Sequence, residues 1–475
     1  MIRPDEERPS HRQYIVFGLG FGDEGKGTTT DTLVRHAGAH TVVRYNGGPQ
    51  AGHNVISPQG IWHCFAQFGS GTLTGANTYL TFYMPAELET LLAEANVLAT
   101  KGVPEPLKQL TIDARCLVIT PGHKLVGQLR EIQRGEHRFG SCGMGVGETI
   151  QDAERGLDIT VQDLLDPVFG PRKLHDVLLT KQHEAENLLK TDASADAHER
   201  MRYFRPRLQS EALYTEYSRI LQLLDGHLDF DGTCLQQTIS RGPCVWEGAQ
   251  GALLDRDNGF APYVTKSRAT WHNAQDLLTS SSSTVKIGVL RTFAHRHGCG
   301  PFVTENNRLL NALHDPRNPE NRWQGSFRVG ELDLVALRYG LHLNGGADWL
   351  SLSHFDQLSS FDEIRVCTSY LYNGCEDDLG DRFQWERRPN GQFVITGILS
   401  ARSDPPRPSV ADILFHCNPC HWQNFFVWSS RITSGHRLPG RARTFLRWLE
   451  SADGLNTPVG IISFGPRTDQ KQFLF

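Results

Sequence analysis

The stretch "QYIVFGLGFGDEGKGTTTDTLVRHAGAHTVVRY" (13–45) constrains the fold more than any other part of the chain. "QYIVFGLG" (13–20) is a short apolar run ending in glycine and reads as a buried strand. "TTTDTLVRHAG" (28–38) starts with cap residues, ends in Gly38 and reads as a helix. "TVVRY" (41–45) is again β-branched and apolar. Strand, glycine-rich turn, helix and strand make a βαβ unit, which requires a parallel sheet covered by helices. Further strands are expected at 243–248, 284–290, 348–353 and 460–465. The expected fold class is α/β: a large, mostly parallel central sheet with flanking helices, a P-loop-like site, a helical subdomain and small β additions. Ligands of such sheets sit at the carboxyl ends of the strands, and the glycine-rich stretches 18–27 and 47–52 fall there.

"GFGDEGKG" (20–27) nearly spells the phosphate-binding consensus G-x-x-x-x-G-K-[ST]. Gly20, Gly25 and Lys26 fit it, but Gly27 stands where a hydroxyl would hold Mg²⁺. The loop also carries an acidic pair, Asp23 and Glu24. Asp23 reads most simply as a helix N-terminal acid. Facing polyphosphate, however, a carboxylate without a cation would be repelled, which points to Mg²⁺ binding, base work, or both. His53 follows Ala51-Gly52 at a strand end and is either structural or an acid. Gln250 in "EGAQG" and Thr265 either hold a substrate phosphate or stabilise turns. Glycine is dense around these residues, in 20–27, 42–54, 140–156 and 246–265; a fifth stretch, "SFGPRTD" (463–469), is not glycine-rich. Several such loops at strand ends indicate a large polyanionic ligand, or two ligands.

A chain of 475 residues with 39% hydrophobic content builds a sizeable core, and 1–475 is read as one domain. The mild net charge of −5 argues against a general nucleic-acid partner. No apolar run approaches a membrane span. The charged N-terminus "MIRPDEERPSHRQY" lacks a signal core, so a cytoplasmic protein with mostly reduced cysteines is expected. "HCNPCHW" holds His416, Cys417, Cys420 and His421. Haem attachment would need export, zinc would want a second cysteine pair, and a redox switch stays open; the plainest reading is a reduced loop with a Pro turn. Residues 172–226 read as a helical subdomain with a mobile patch near "KTDASADAHE". Residues 376–410 read as an insertion with a hairpin at Asn390-Gly391, followed by a linker or surface loop, "DPPRPS" (404–409).

"GFGDEGKG", "VVRYNGG…AGH", "EGAQGALLD…PYVT", "GPFVTE" and "SFGP" together resemble adenylosuccinate synthetase, in order, from residue 14 to about 370 and again near the C-terminus. The resemblance implies a homodimeric GTP-dependent ligase of purine biosynthesis. Such an enzyme phosphorylates O6 of inosine monophosphate with Mg²⁺ and GTP, then lets the aspartate amine displace the phosphate. It implies that Asp23 is the base and His53 the acid, and that Asp23 and the Gly52 backbone hold Mg²⁺. It assigns GTP to Gly22, Asp23, Glu24, Gly25, Lys26, Gly27, Gly52, His53, Asn54, His354, Asp356, Ser463 and Gly465. It assigns the substrate nucleotide to Gln50, Ser141, Cys142, Gln250 and Thr265, with Arg155 matching an arginine that reaches the partner subunit's site.

Three departures accompany the resemblance. The guanine-reading T-K-x-D run becomes "SHFD", with His354 for lysine and Asp356 kept. The paired threonines of the nucleotide-phosphate loop become Ser141 and Cys142. The aspartate-binding T-T-G-R run becomes "NRWQGSFRVGELD" (321–333), leaving Arg322 and Arg328 as its cations for an amine substrate. Dicarboxylates want bidentate arginine contacts, so the amine pocket is expected to be rebuilt or absent. Two alternatives follow: the same activation with another amine or another purine nucleotide (GMP or dGMP), and a non-catalytic nucleotide-binding regulator. A plain P-loop GTPase leaves the other motifs unexplained.

Overall fold

In the computed structural model, residues 12–192, 194–279, 282–313, 318, 320, 322–402, 405–428 and 432–474 are described. Each of the six apolar runs expected to be strands is one, and all six lie in a single ten-stranded sheet. The order across it is Lys471–Phe473, Val459–Ser463, Trp349–Ser353, Thr284–Arg291, Gln13–Gly18, Cys244–Glu247, Thr41–Arg44, Asn77–Leu80, Leu110–Asp113, Leu228–Asp229. All neighbours pair in parallel except Lys471–Phe473, which runs antiparallel to Val459–Ser463. A sheet buried on both faces needs strands that are apolar throughout, and Gln13–Gly18 is buried at every position. Alternate side chains serve opposite faces. Ile15 and Phe17 join Val43, Trp246 and Leu352 in one core, while Tyr14 and Val16 join Val42, Val245 and Val289 in another. The helix Lys26–Ala37 covers the second face with Leu33 and Val34, and Leu334–Leu343 and Gly440–Glu450 cover the first.

A second, five-stranded sheet comprises Leu332–Asp333, Glu363–Tyr372, Phe383–Arg387, Phe393–Ile398 and Cys417–Phe426. Phe383–Arg387 and Phe393–Ile398 pair antiparallel about Asn390-Gly391. Helices Phe169–Thr191, Ala195–Phe204 and Ser210–Gln222 pack with Leu88–Thr100 and Pro121–Arg134 around a separate core. Within "KTDASADAHE", the chain ends one helix at Thr191 and starts the next at Ala195 behind a Ser194 cap; residue 193 lies outside the described residues. Residues 1–11 and 404 also lie outside them. Among the described residues, no helix is long and apolar enough to cross a membrane.

The expectation of a Pro turn in "HCNPCHW" is corrected. Cys417–Phe426 is a strand along Glu363–Tyr372, with register shifts opposite Ser369. Pro419 is tolerated because the strand lies at the sheet edge, where a missing N–H costs no ladder bond. Arg388 Nη2 donates to Cys420 Sγ at 2.9 Å and lies 3.1 Å from His421 Nε2. The ten cysteines are free thiols, and no group of three potential metal ligands occurs among the described residues.

Candidate active site

Six parallel strands deliver their following loops to one cavity of 1440 Å³, lined by Gly22, Asp23, Gln50, Gln250, Arg291, Ser353 and Ser463 among others. That exceeds the usual volume for one drug-sized ligand, roughly 300–1,000 Å³. Eight Lys or Arg residues line it against four Asp or Glu, a balance suited to phosphates. Of the site residues proposed from sequence, all but Glu24, Arg322 and Arg328 lie on its wall.

The phosphate loop is braced from below. Glu24 is buried; Oε1 accepts from Gly20 N–H and Gly22 N–H at 2.9 and 3.0 Å, and Oε2 accepts from Lys26 Nζ at 2.7 Å. Glu24 therefore shapes the loop and does not face the cavity. Backbone N–H groups at the start of Lys26–Ala37, with Gly25 as its cap, suit an anion. The "EGAQG" loop presses on this one: a Cβ on Gly251 would fall 2.2 Å from Gly20 O and 2.5 Å from Gly22 N. Gly27 has an equally direct cause. A Cβ there would lie 2.8 Å from His53 Cβ, so the hydroxyl of an ordinary P-loop is excluded by the histidine.

Asp23 projects from the loop with 38% of its side chain exposed. Its backbone is left-handed, φ 55°, as are Gln250 at 58° and His354 at 60°; all three line the cavity. Such backbone is held only where its surroundings over-determine it. Here Arg291 Nε donates to Asp23 O at 2.8 Å and His295 Nε2 donates to Gly22 O.

His53 begins the strand His53–Ile56 and is buried. Its Nδ1 lies 2.7 Å from Glu247 Oε1. Glu247 ends its strand opposite Arg44 on the neighbouring one, with Arg44 Nε 3.8 Å from Oε2. Ser70 N–H donates to Oε2 at 3.0 Å, and Ser70 Oγ donates to Oε1. Burial raises the proton affinity of Glu247, but His53, Arg44 and Ser70 outweigh it and hold the carboxyl at about 2. Burial lowers the pKa of His53. The pair is therefore an ionised glutamate accepting from the Nδ1–H of a neutral imidazole, which fixes tautomer and ring orientation. Glu247 and Arg44 lie inside the strand runs 243–248 and 41–45, which carry no other sign of them.

Around the nucleotide end, Ser141 Oγ accepts from Gly143 N–H at 3.3 Å. Burial pushes the Cys142 thiol up to about 11, so it stays a neutral weak donor and not a thiolate facing phosphate. Arg155 lines the cavity of its own chain. At the other end, Ser353 Oγ and His354 Nδ1 are 2.9 Å apart, beside Asp356.

One cation there carried no sequence signal. Lys471 Nζ donates to Ser463 Oγ at 3.0 Å, Gly465 O at 3.5 Å and Arg467 O at 3.3 Å. Burial lowers its pKa to about 8, against the raising pull of Asp31, Asp356 and Asp469. It clamps the loop that brings Ser463 and Gly465 to the wall. Lys471→Met is expected to raise about five-fold the KM for a polyphosphate ligand of this cavity by freeing three acceptors, with kcat changed less than two-fold. Wild-type KM should rise toward the variant's value above pH 8, where the ammonium is lost. Steady-state kinetics of both proteins at pH 7 and 9 check this.

The chain matches the family model described as adenylosuccinate synthetase over residues 15–388. The chain belongs to the adenylosuccinate synthetase family. It is 31% identical over 480 residues to the adenylosuccinate synthetase of Syntrophotalea carbinolica, covering 96% of this chain and 97% of that one. It is 32% identical to that of Chlorobium chlorochromatii, covering 78% and 82%. A fully ligated adenylosuccinate synthetase from Plasmodium falciparum shares the fold, with a TM-score of 0.76, 21% identity, and coverage of 97% and 99%. So does a cyanophage S-2L succinoaminodeoxyadenylate synthetase bound to dGMP and dATP, with a TM-score of 0.55, 14% identity, and coverage of 97% and 95%. As a member of the adenylosuccinate synthetase family, the chain is a GTP-dependent ligase.

The site corrects one expectation. Arg322 and Arg328, proposed for an amine substrate, are off the cavity wall. Their place in the run 321–333 does not set where they point, and each side chain is drawn elsewhere by closer acceptors: Asp196 for Arg322, and Gly298 O, Gly300 O and Glu305 for Arg328.

Proposed function

We propose that this protein makes adenylosuccinate from IMP, aspartate and GTP. The carrying observation is that Asp23 and the Glu247-bound His53 face one cavity beside the phosphate loop, with Gln250 and Thr265 on the same wall. Lys26, Gly22, Gly25 and Gly27 cradle the GTP phosphates, while Asn54, His354, Asp356, Ser463 and Gly465 hold the rest of that nucleotide. Gln50, Ser141, Cys142, Arg155, Gln250 and Thr265 hold IMP. Asp23 takes the N1 proton, which places negative charge on O6. O6 then bonds to the γ-phosphorus as the bond from phosphorus to the β-phosphate oxygen breaks and GDP leaves. His53 stabilises the transferring phosphoryl group; polyphosphate beside it raises its proton affinity and lets it act as acid.

The donor set fits Mg²⁺, which takes one or two carboxylates together with substrate phosphates and water. Asp23 and Gly52 both line this wall, and the Gly52 carbonyl is the second proposed protein ligand. When bound, Mg²⁺ supplies charge neutralisation on the phosphates. On this reading the enzyme is a cytosolic homodimer serving purine biosynthesis, as the family resemblance implies.

A second reading keeps the activation half with another amine or another purine nucleotide. The absence of Arg322 and Arg328 from the wall favours it. A regulator that only binds nucleotide is disfavoured, because binding has no use for a histidine oriented by a buried glutamate. Purified protein with Mg²⁺ and GTP is to be given IMP, GMP or dGMP, each with and without aspartate, following phosphate release and product mass. The expected product is adenylosuccinate from IMP. Phosphate release that needs a nucleotide but ignores aspartate would select the second reading, and GTP binding without turnover would select the regulator.

A further inference from the structure

Arg328 has a different task from gripping a substrate. Its Nε and Nη2 donate to Gly298 O and Gly300 O at 3.0 and 2.7 Å, and Nη1 donates to Glu305 at 2.8 Å. These bonds shape the turn that follows Ala294–His297, the strand paired antiparallel with Phe327–Gly330. The nucleotide-phosphate loop lies against the same turn: a Cβ on Gly140 would fall 3.5 Å from Cys299 N and 3.7 Å from Gln324 O. The turn is thus fixed between two parts of the site.

Two polar side chains flank this turn on the cavity wall: His297, which ends the strand before the turn, and Gln324, whose carbonyl packs against Gly298. His297 Nε2–H donates to Gly325 O at 3.1 Å, which turns Nδ1 toward Asp23 Oδ2 at 3.9 Å. Phe139, Tyr263 and Cys299 line the cavity beside them. An amine that attacks C6 must reach the carbon next to the N1–O6 edge that Asp23 handles. His297 Nδ1 stands at Asp23 and Gln324 shares that cavity wall, whereas Arg322 is paired with Asp196 at the surface.

We propose that His297 and Gln324 form the amine subsite, with the Gln324 amide donating to a carboxylate of the incoming amino acid and His297 flanking its amine beside Asp23. This rests on the ligase reading above. The free amine nitrogen bonds to C6, the C6–O6 bond breaks, O6 leaves with the phosphate, and the proton given up by the nitrogen goes to that phosphate. The Gln324 amide replaces a guanidinium fork, so the carboxylate is held by a single hydrogen bond there.

The test uses the full-length enzyme with GTP, Mg²⁺ and IMP, and with aspartate or hydroxylamine as the amine; hydroxylamine has no carboxylate to be held. Gln324→Glu sets like charge against the carboxylate, and His297→Asn removes the imidazole while keeping a small polar group. Both are expected to raise aspartate KM ten-fold or more, with IMP and GTP KM changing less than three-fold. The ratio of hydroxylamine to aspartate turnover should rise correspondingly. Arg322→Ala should leave aspartate KM at the wild-type value. Unchanged aspartate KM in Gln324→Glu and His297→Asn, a rise in Arg322→Ala instead, or wild-type GDP formation that ignores aspartate overturns the subsite and leaves GTP-dependent activation standing. No GDP from IMP, GMP or dGMP overturns both.

Discussion

Replacing Asp23 by Asn is expected to lower kcat about a thousand-fold, within the roughly 10²–10⁴ range of general-base removal, while GTP and IMP still bind. Asn is the informative substitution because Asp23 sits at φ 55°, a left-handed conformation that Asn adopts readily and Ala does not. The loop backbone should survive, since Arg291 and His295 hold it through the carbonyls of Asp23 and Gly22. Glu24 and Lys26 should stay paired beneath it. On the proposed mechanism, what disappears is the basic oxygen that takes the purine N1 proton, and with it the negative charge that makes O6 a nucleophile. Titration calorimetry with GTP and IMP, beside a product assay, separates the two effects. A kcat within ten-fold of wild type would remove Asp23 from the proton-abstracting role. Binding lost in step with turnover would mean that the carboxylate chiefly organises the nucleotide or its metal.

The parallel sheet was legible because strands buried on both faces are mostly apolar, and stretches such as 14–18 and 287–290 carry that signal locally. The phosphate loop was legible for a similar reason: its spacing is contained in eight residues. The Arg44–Glu247 pair was not. It depends on register between strands about two hundred residues apart, and each residue hides inside an apolar run. The meaning of Gly27 was half legible. The missing hydroxyl showed in the sequence, but its cause, His53 packed where a Cβ would go, is tertiary. Arg322 and Arg328 erred in the other direction. Counting cations in a loop says nothing about which acceptors lie nearest, and the carbonyls of Gly298 and Gly300 captured Arg328. Cys417–Phe426 was missed because Pro419 argues against a strand unless its place at the sheet edge is known. Lys471 likewise gained significance only through the loop folded against it.

Glu247→Gln should damage both stability and catalysis. Arg44 is fully buried, and its Nη1 already donates to Ala66 O and Phe68 O, each at 3.1 Å. Glu247 is the carboxylate facing that guanidinium. An isosteric neutral amide leaves a buried charge uncompensated, which costs about 3–5 kcal/mol. His53 at the same time loses an anionic acceptor for its Nδ1–H, and with it a fixed ring orientation; kcat should fall about 10–100-fold, the usual range for a partner that orients a functional histidine. Acid provides the internal control. The carboxyl is held at about 2, against an ordinary value of 4.5. A depressed acid stabilises the fold above its unfolded pKa, and that contribution fades as pH falls from about 4.5 toward about 2. Here it amounts to about 3 kcal/mol. The gap between wild type and Glu247→Gln should therefore be full at pH 7 and shrink steadily below pH 4.5. Asp333, whose carboxyl burial raises to about 6, shifts stability in the opposite sense but equally in both proteins, so it cancels from the difference. Urea unfolding of both proteins at pH 7, 4 and 3 reads that gap directly. A gap that stays constant across these pH values would mean that the lost stability comes from the shape of the glutamate and not from its charge.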